Sequence, residues 1–467
     1  MARKPSSRRR SSGLRAAGIS PWGAVITAFV LLCLSLGGSS SGGLVANSFL
    51  QVVSTVLLAF VVTRLGAAPL SRDTKFLFAI IGCWIVMCLV QLVPLPPSLW
   101  TMAPGRDLLE QRLRTAGINL PWLPLTLSPA GTLRHLASLM PPLAAGALVL
   151  WRPPEDANGL RWAIPLVAIA SLMIGVGQIL GGPDSRLYFY SLSNISMPVG
   201  IMANANHQAT LLLCAIPFVA SLASSETSRS AQSRGRDIVL VAIVAMLLIG
   251  IALCYSYAAY ILVLPVLIAS WLIARPRSLG QGRYVLIGAA VLTIAVIALV
   301  FVAGPDMLDT GVPGADKQFS RPTMYAVAAH ALAHFFPLGS GPGSFVPVYK
   351  LFEDPGLVIN VFANHAHSDY LELALETGIP GVLLVLGLLV WWARRAVSIW
   401  FSRSSSRLDR AAIVATAAIM AHSLVDYPAR TSTIAVILAA GFALMTSRAV
   451  TIEEDEAPGG GRHLTAE

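Results

Sequence analysis

At 467 residues, with 55% hydrophobic and only 12% charged residues and a mean hydropathy of +0.70, the chain has too few charges to cover a water-facing surface, where a soluble domain carries about a quarter charged residues. This excludes a string of soluble domains and predicts an all-α fold: one polytopic transmembrane helix bundle of about twelve spans, because in lipid the backbone polar groups have to be satisfied within the element. The net charge of +10 calls for no nucleic acid, since no nucleic-acid-binding motif accompanies it and it reports topology and attraction to anionic membrane lipid.

A span takes about 20 apolar residues to cross a hydrocarbon core of about 30 Å. By that rule residues 1–20 form a basic cytoplasmic tail carrying Arg3, Lys4, Arg8, Arg9, Arg10 and Arg15. Nine spans then fill 21–304, at 21–37, 44–63, 76–95, 132–150, 160–181, 205–224, 237–253, 256–274 and 284–304. A large extracytoplasmic loop with short helices runs over 305–377, three last spans (378–393, 411–426 and 431–447) fill 378–447, and 448–467 is a disordered cytoplasmic tail. The stretch 237–274 has no Gly/Pro turn, yet as one helix it would be roughly 57 Å long at 1.5 Å per residue, so it is divided at Tyr255-Ser256-Tyr257. The basic leader, first apolar run and GGSSSGG stretch (37–43) are similar to a signal peptide. Without an A-x-A site, and with more spans following, the first span is expected to stay as an uncleaved anchor. With both termini cytoplasmic, the cytoplasmic segments carry most of the 33 Lys and Arg, as the positive-inside rule requires.

Two outer segments stand out. Residues 96–131 are rich in Pro and Leu, with Trp100 and Trp122, the composition of a stretch lying at the lipid–water interface. In the 305–377 loop, Met324, Val327, Ala328 and Leu332 recur at helical spacing from a start at Arg321, until GSGPGSF (339–345) breaks the helix. The five cysteines, Cys33, Cys83, Cys88, Cys214 and Cys254, fall in apolar stretches or at their edges without metal-site spacing and are expected to be buried hydrophobes.

Polar residues that are costly beside a membrane gather in three places. The first is the outer loop, with His330 and His334 and then AHSDYLELALETGIPG (366–381), where His365, His367, Asp369, Glu372 and Glu376 crowd together. If this stretch is helical, His367 and Leu371 share a face, as do Glu372 and Glu376, while His367 and Asp369 point apart. A lone H-x-H lacks the spacing of helical metal sites, so no metal or other cofactor is predicted, and His330, His334 and His365 are expected to be solvated loop residues. The second is MANANHQATLLL (202–213), where Asn204, Asn206 and His207 either cap a helix or line a cavity for sugar and phosphate oxygens. The third is HSLVDYPAR (422–430), where His422 and Asp426, at i and i+4, either tie two helices together or serve a site with Arg430.

The order N-x-N-H-x-A at a span, an Arg followed by P-L-G-S-G-P-G-S-F, H-S-D-Y-L-E-L-A-L-E-T-G-I-P-G, and H-S-L-V-D-Y-P resembles the bacterial O-antigen ligase and O-antigen polymerase superfamily over roughly residues 90–447. The resemblance implies a glycosyltransferase of the bacterial inner membrane, working at its periplasmic face on a glycan carried by undecaprenyl diphosphate, with glycan, lipid A-core or protein as acceptor. By motif match its essential histidine is His367 and a diphosphate-facing arginine is Arg321. One departure stands out: where members commonly carry Ser-Arg-Gly or Ser-Arg-Ala, this chain has Ser256-Tyr257-Ala258, and a neutral phenol does not balance diphosphate charge as a guanidinium does. Arg186 in the 182–200 segment is the candidate replacement. The expected reaction is attack of an acceptor hydroxyl on the anomeric carbon, with His367 accepting its proton and Arg321 stabilising the departing diphosphate, while Asp369 and Glu376 orient side chains. An O-antigen or exopolysaccharide polymerase is the alternative within enzymes. A transporter or non-catalytic lipid-linked glycan-binding protein is the alternative from another class.

Overall fold

The computed structural model describes residues 20–65, 70–223, 231–275, 321–355 and 363–446. The expected tails, the 284–304 span and the first part of the large loop lie outside the described residues. Among the described residues every regular element is helical, and the one β-feature is an isolated antiparallel bridge between Leu95 and Leu123. The helices are α1 Pro21–Leu36, α2 Val45–Leu65, α3 Arg72–Gln91, α4 Pro97–Trp100, α5 Asp107–Thr115, α6 Pro129–Ser138, α7 Met140–Trp151, α8 Leu160–Gly181, α9 Ala205–Ser221, α10 Ala231–Leu253, α11 Tyr257–Ala274, α12 Arg321–Phe335, α13 Phe345–Phe352, α14 Asp369–Phe401, α15 Arg407–His422 and α16 Ser432–Met445.

Small polar residues start these helices by accepting an otherwise orphaned backbone N–H. Ser20 takes the N–H of Gly23, Ser71 that of Thr74, Asn204 that of Asn206, Ser256 that of Ala259 and Thr431 that of Ile434. Ser406 and Asp409 close a reciprocal capping box on α15. The division inside 237–274 falls where expected, with α10 ending at Leu253 and α11 beginning at Tyr257.

The chain is a multi-pass membrane protein, and the described residues do not establish the count of twelve spans. Seven stretches among the described residues are long and apolar enough to cross a membrane, containing α2, α3, α6 with α7, α8, α10, α11 and α14. Four further expected spans are shorter helices: α1 of 16 residues, α9 of 17, α15 of 16 and α16 of 14. Helix α9 is buried along nearly its whole length, packed by α8, α10, α11 and α15, and such a central helix meets protein on every side where a lipid-facing one would need an apolar exterior. The expected 378–393 span is longer than its apolar run: α14 starts at Asp369 and bends at Gly378, where φ is +57° and a Cβ would collide with the Pro337 carbonyl. Below the bend α14 is held to α3, where Asp73 accepts from Trp391 Nε1 at 3.1 Å and lies 3.3 Å from Arg395 Nε.

The GSGPGSF turn explains how the loop reaches the bundle. Gly341 (φ +106°) and Gly343 (φ +74°) face Thr126 and the Gly131 carbonyl so closely that any side chain there would collide. The turn is fastened by Leu127 N–H to Ser340 O at 2.8 Å and by Thr132 Oγ1 to Pro342 O at 2.8 Å. On its other side Ser340 and Gly341 donate to the carbonyls of Leu375 and Glu376 on α14.

Candidate active site

The connection 423–431, between α15 and α16, puts Asp426 at the centre of residues far apart in the chain. Its carboxylate is buried, 1% exposed, and lies 3.5 Å from His367 Nδ1, 3.6 Å from Arg321 Nη2 and 3.8 Å from His207 Nε2. The Tyr427 N–H donates to Oδ1 at 2.8 Å, while among the described residues Oδ2 has no hydrogen-bond partner. Burial pushes this carboxyl up, but the His207 and His367 imidazoles outweigh burial and hold it well below the usual carboxylate range. Tyr427 supports the cluster sterically: His207 and His367 meet its ring edge-on, with centroids 4.7 and 4.9 Å away, and His365 lies tilted against it at 4.4 Å.

Each partner is delivered by a local feature of the sequence. His207 sits in the first turn of α9, behind the Asn204 cap. Arg321 opens α12 as expected and is buried. His367 is not on a helix, because Ser368 caps α14 by accepting the Leu371 N–H and leaves His367 just outside, at φ +50°. The expected His367–Leu371 helical face therefore does not form. A non-glycine residue in the left-handed region is a strained position typical of sites of function, and here it is held by Tyr325, whose hydroxyl donates to the His367 carbonyl at 2.8 Å. Burial raises the Tyr325 phenol to about 12. Among the described residues neither His207 Nε2 nor His367 Nδ1 has a hydrogen-bond partner.

These side chains border a cavity of about 390 Å³ lined by Ser39–Ser41, Asn194, Asn204, His207, Asn364, His367 and Tyr427 among others. Beside it lies a second cluster around Arg430, reached by Asp369 (Oδ1 at 3.3 Å), Glu372 (3.4 Å) and Glu376 (3.5 Å). Burial works against the Arg430 charge, yet Glu372, Glu376 and Asp369 outweigh it and keep the guanidinium more firmly protonated than usual. The carboxylates are further tied: Asp369 to Ser423 Oγ at 2.7 Å, Glu372 to His365 Nδ1 and the Ala366 N–H, both at 2.9 Å, and Glu376 to the Phe345 N–H at 3.1 Å. The shared face of Glu372 and Glu376 thus exists, and Asp369 turns to Arg430 while His367 turns to Asp426.

Other candidates stand apart from the two clusters. His422 bonds Thr210 through Nδ1 at 2.8 Å, between α9 and α15. Its side chain does not bond that of Asp426, although the Asp426 N–H donates to the His422 carbonyl at 3.1 Å just past the end of α15. Asn206 accepts from Thr210 through its carbonyl and does not line the cavity. Arg186 is exposed and Tyr257 pairs edge-on with Tyr260 at 6.0 Å; neither lines a cavity beside the clusters. His330 and His334 lie on α12 against Phe352, and His365 is bound to Glu372 and so is not a solvated loop residue. Among the described residues no group of three His, Cys, Asp or Glu side chains is placed to hold a metal ion. Sequence reasoning missed Tyr427, Tyr325 and Ser39–Ser41; Tyr427 adjoins a motif already singled out, and the serines carry a signal in their flanking glycine pairs.

Residues 241–386 match the sequence model of a family described as O-antigen ligase. The matched stretch holds Arg321, His367, Asp369, Glu372 and Glu376, while Asn204, His207, Asp426 and Arg430 reach the site from outside it. No curated protein matches the chain.

Proposed function

From the premise that this chain is a member of the O-antigen ligase and polymerase superfamily, we propose that it transfers a glycan from undecaprenyl diphosphate to an acceptor hydroxyl at the periplasmic face of the bacterial inner membrane. The observation that carries this reading is the meeting of His367, Arg321 and His207 at one buried carboxylate beside an open cavity. Asp426 faces His367 Nδ1, which leaves Nε2 for the acceptor proton. The acceptor oxygen forms its bond to the anomeric carbon, the bond from that carbon to the diphosphate oxygen breaks, and the hydroxyl proton passes to His367. Arg321 stabilises the negative charge that the leaving diphosphate gains, an effect typically worth about 3 kcal/mol in comparable sites. Asp426 favours the imidazolium that forms and orients both cations, the role of the third group wherever a base needs a partner. Asn204 and Asn364 on the cavity wall offer amide groups suited to sugar hydroxyls.

The test is transfer of a polyprenyl-diphosphate-linked glycan by purified protein in lipid. Wild type should transfer and His367→Gln should not; a His367→Gln protein that transfers at the normal rate removes the base from the mechanism. The side of the membrane is tested separately, with single cysteines at the exposed positions Lys350 and Ser404 and an impermeant thiol reagent. They should label from opposite faces, and labelling from one face would overturn the arrangement.

A further inference from the structure

The His367 cavity shares a wall with a second one of about 440 Å³. Ser39, Ser40 and Ser41 line both. The wall is fixed from behind: a Cβ on Gly38 would collide with the Ile201 carbonyl, and that close approach lets Gly38 O accept the Ala203 N–H at 3.0 Å. Gly37 O accepts the Thr433 N–H at 3.2 Å, and Asn47 Nδ2 donates to the carbonyls of Ser39 and Ser41, both at 3.2 Å. Ser40 Oγ lies 3.2 Å from His365 Nε2.

The polar lining of the second cavity is hydroxyls, amides and cations, set beside Leu139, Pro142, Ala429 and Ala435, and among the described residues no Asp or Glu lines it. Its two arginines differ. Arg430 is answered by three carboxylates. Arg134 is exposed, makes no ion pair or hydrogen bond among the described residues, and runs its Cδ close to Gly42 of the wall. A guanidinium without a carboxylate, set among Ser39–Ser41, Asn47 and Gln51, suits an oxyanion joined to a hydroxyl-rich body.

We propose that this second cavity is a binding subsite for an anionic saccharide, with Arg134 taking its phosphate or carboxylate and the wall serines, Asn47 and Gln51 taking its hydroxyls. The inference rests on the transfer reading, in which two substrates meet, and assigns one of them a place across the serine wall from His367. The anion belongs either to an acidic group on the acceptor or to the diphosphate of the donor.

Direct binding to the full chain in nanodiscs separates the two sources, with glucose 6-phosphate and undecaprenyl diphosphate as probes and glucose as the uncharged control. If the acceptor supplies the anion, Arg134→Gln weakens glucose 6-phosphate binding at least tenfold, Arg134→Lys restores part of it, and undecaprenyl diphosphate is unaffected. Loss of undecaprenyl diphosphate binding alone supports the subsite and assigns the anion to the donor. Unchanged affinity for both probes in an Arg134→Gln protein that melts like wild type overturns the proposal, as does equal affinity of wild type for glucose and glucose 6-phosphate together with unchanged diphosphate binding. Because the readout is binding, a wild type that holds a probe through Arg134 yet transfers nothing retains the subsite and sinks the reaction instead.

Discussion

The clusters around Asp426 and Arg430 are neighbours with the same ingredients, buried charges contributed by distant segments, and they are finished to different degrees. Around Arg430, the three carboxylates find hydroxyls, backbone N–H groups and an imidazole, several of them at 2.7–2.9 Å. Around Asp426 the ion contacts lie at 3.5–3.8 Å, against 3.3–3.5 Å at Arg430, and among the described residues His207 Nε2, His367 Nδ1 and Asp426 Oδ2 have no hydrogen bond. Buried polar groups are nearly always satisfied, and leaving one bare is costly. On the proposed reading the difference separates architecture from chemistry: the saturated cluster holds α14 to the 423–431 connection, and the less saturated one, opening on a cavity, is the place for a substrate to complete the bonding.

The most damaging substitution on activity should be His367→Ala, which lowers transfer by roughly 10²–10⁴-fold, the usual contribution of a positioned base. His367→Gln should do nearly as much, with melting near wild type, and a matching collapse of the fold would place His367 in the architecture instead. Arg430→Met should invert that pattern. It strands three buried carboxylates and should destabilise by about 3–5 kcal/mol, read as a lowered melting temperature, whereas unchanged melting would break the contrast. Asp426→Asn should fall between them, losing transfer by roughly 10²-fold through the mispositioned base. Its pH dependence has a definite sign. The Asp426 carboxyl is held well below its ordinary value of 3.8, so its contribution to stability is fully present above that value and is lost as pH falls through the depressed one. The stability gap between wild type and Asp426→Asn should therefore persist to about pH 4 and close in stronger acid, measured by denaturation across pH. The smallest effect is expected for Tyr325→Phe, which releases the His367 carbonyl and loses about 0.5–1.5 kcal/mol of hydrogen bonding, seen as a modest fall in transfer rate.

Local features were legible in the sequence and distant meetings were not. Apolar runs gave most of the helices, Ser256 marked the division of 237–274, and the spacing of Glu372 and Glu376 put both on one face. The same spacing sets the Asp426 N–H on the His422 carbonyl, but the two side chains turn to different partners, His422 to Thr210 and Asp426 to His207, Arg321 and His367. A helical reading of the whole 366–381 stretch carries His367 with it, whereas Ser368 is a good N-cap and the acidic Asp369 behind it suits a first turn. The convergence of residues 207, 321, 367 and 426 is set by tertiary packing, which no local period encodes. GGSSSGG read as a leader-like stretch, since composition alone does not distinguish a processing signal from a wall that two backbones need to approach closely.

The bend at Gly378 has a mechanical consequence. Below it, the apolar run of α14 from Gly378 to Ala393, before Arg394 and Arg395, is roughly 24 Å long at 1.5 Å per residue, less than a typical hydrocarbon core of about 30 Å, so the tilt of this leg depends on how far the bilayer thins to meet it. Above it, the same helix carries Glu372 and Glu376, and the joint is pinned where the Ile379 N–H meets the Pro337 carbonyl at 2.9 Å. A change of tilt is thus delivered to the GSGPGSF turn and to the Phe345 N–H that holds Glu376. Acyl-chain length becomes a control on the geometry of the site, and vesicles of short-chain and long-chain lipid should set different transfer rates in the same protein.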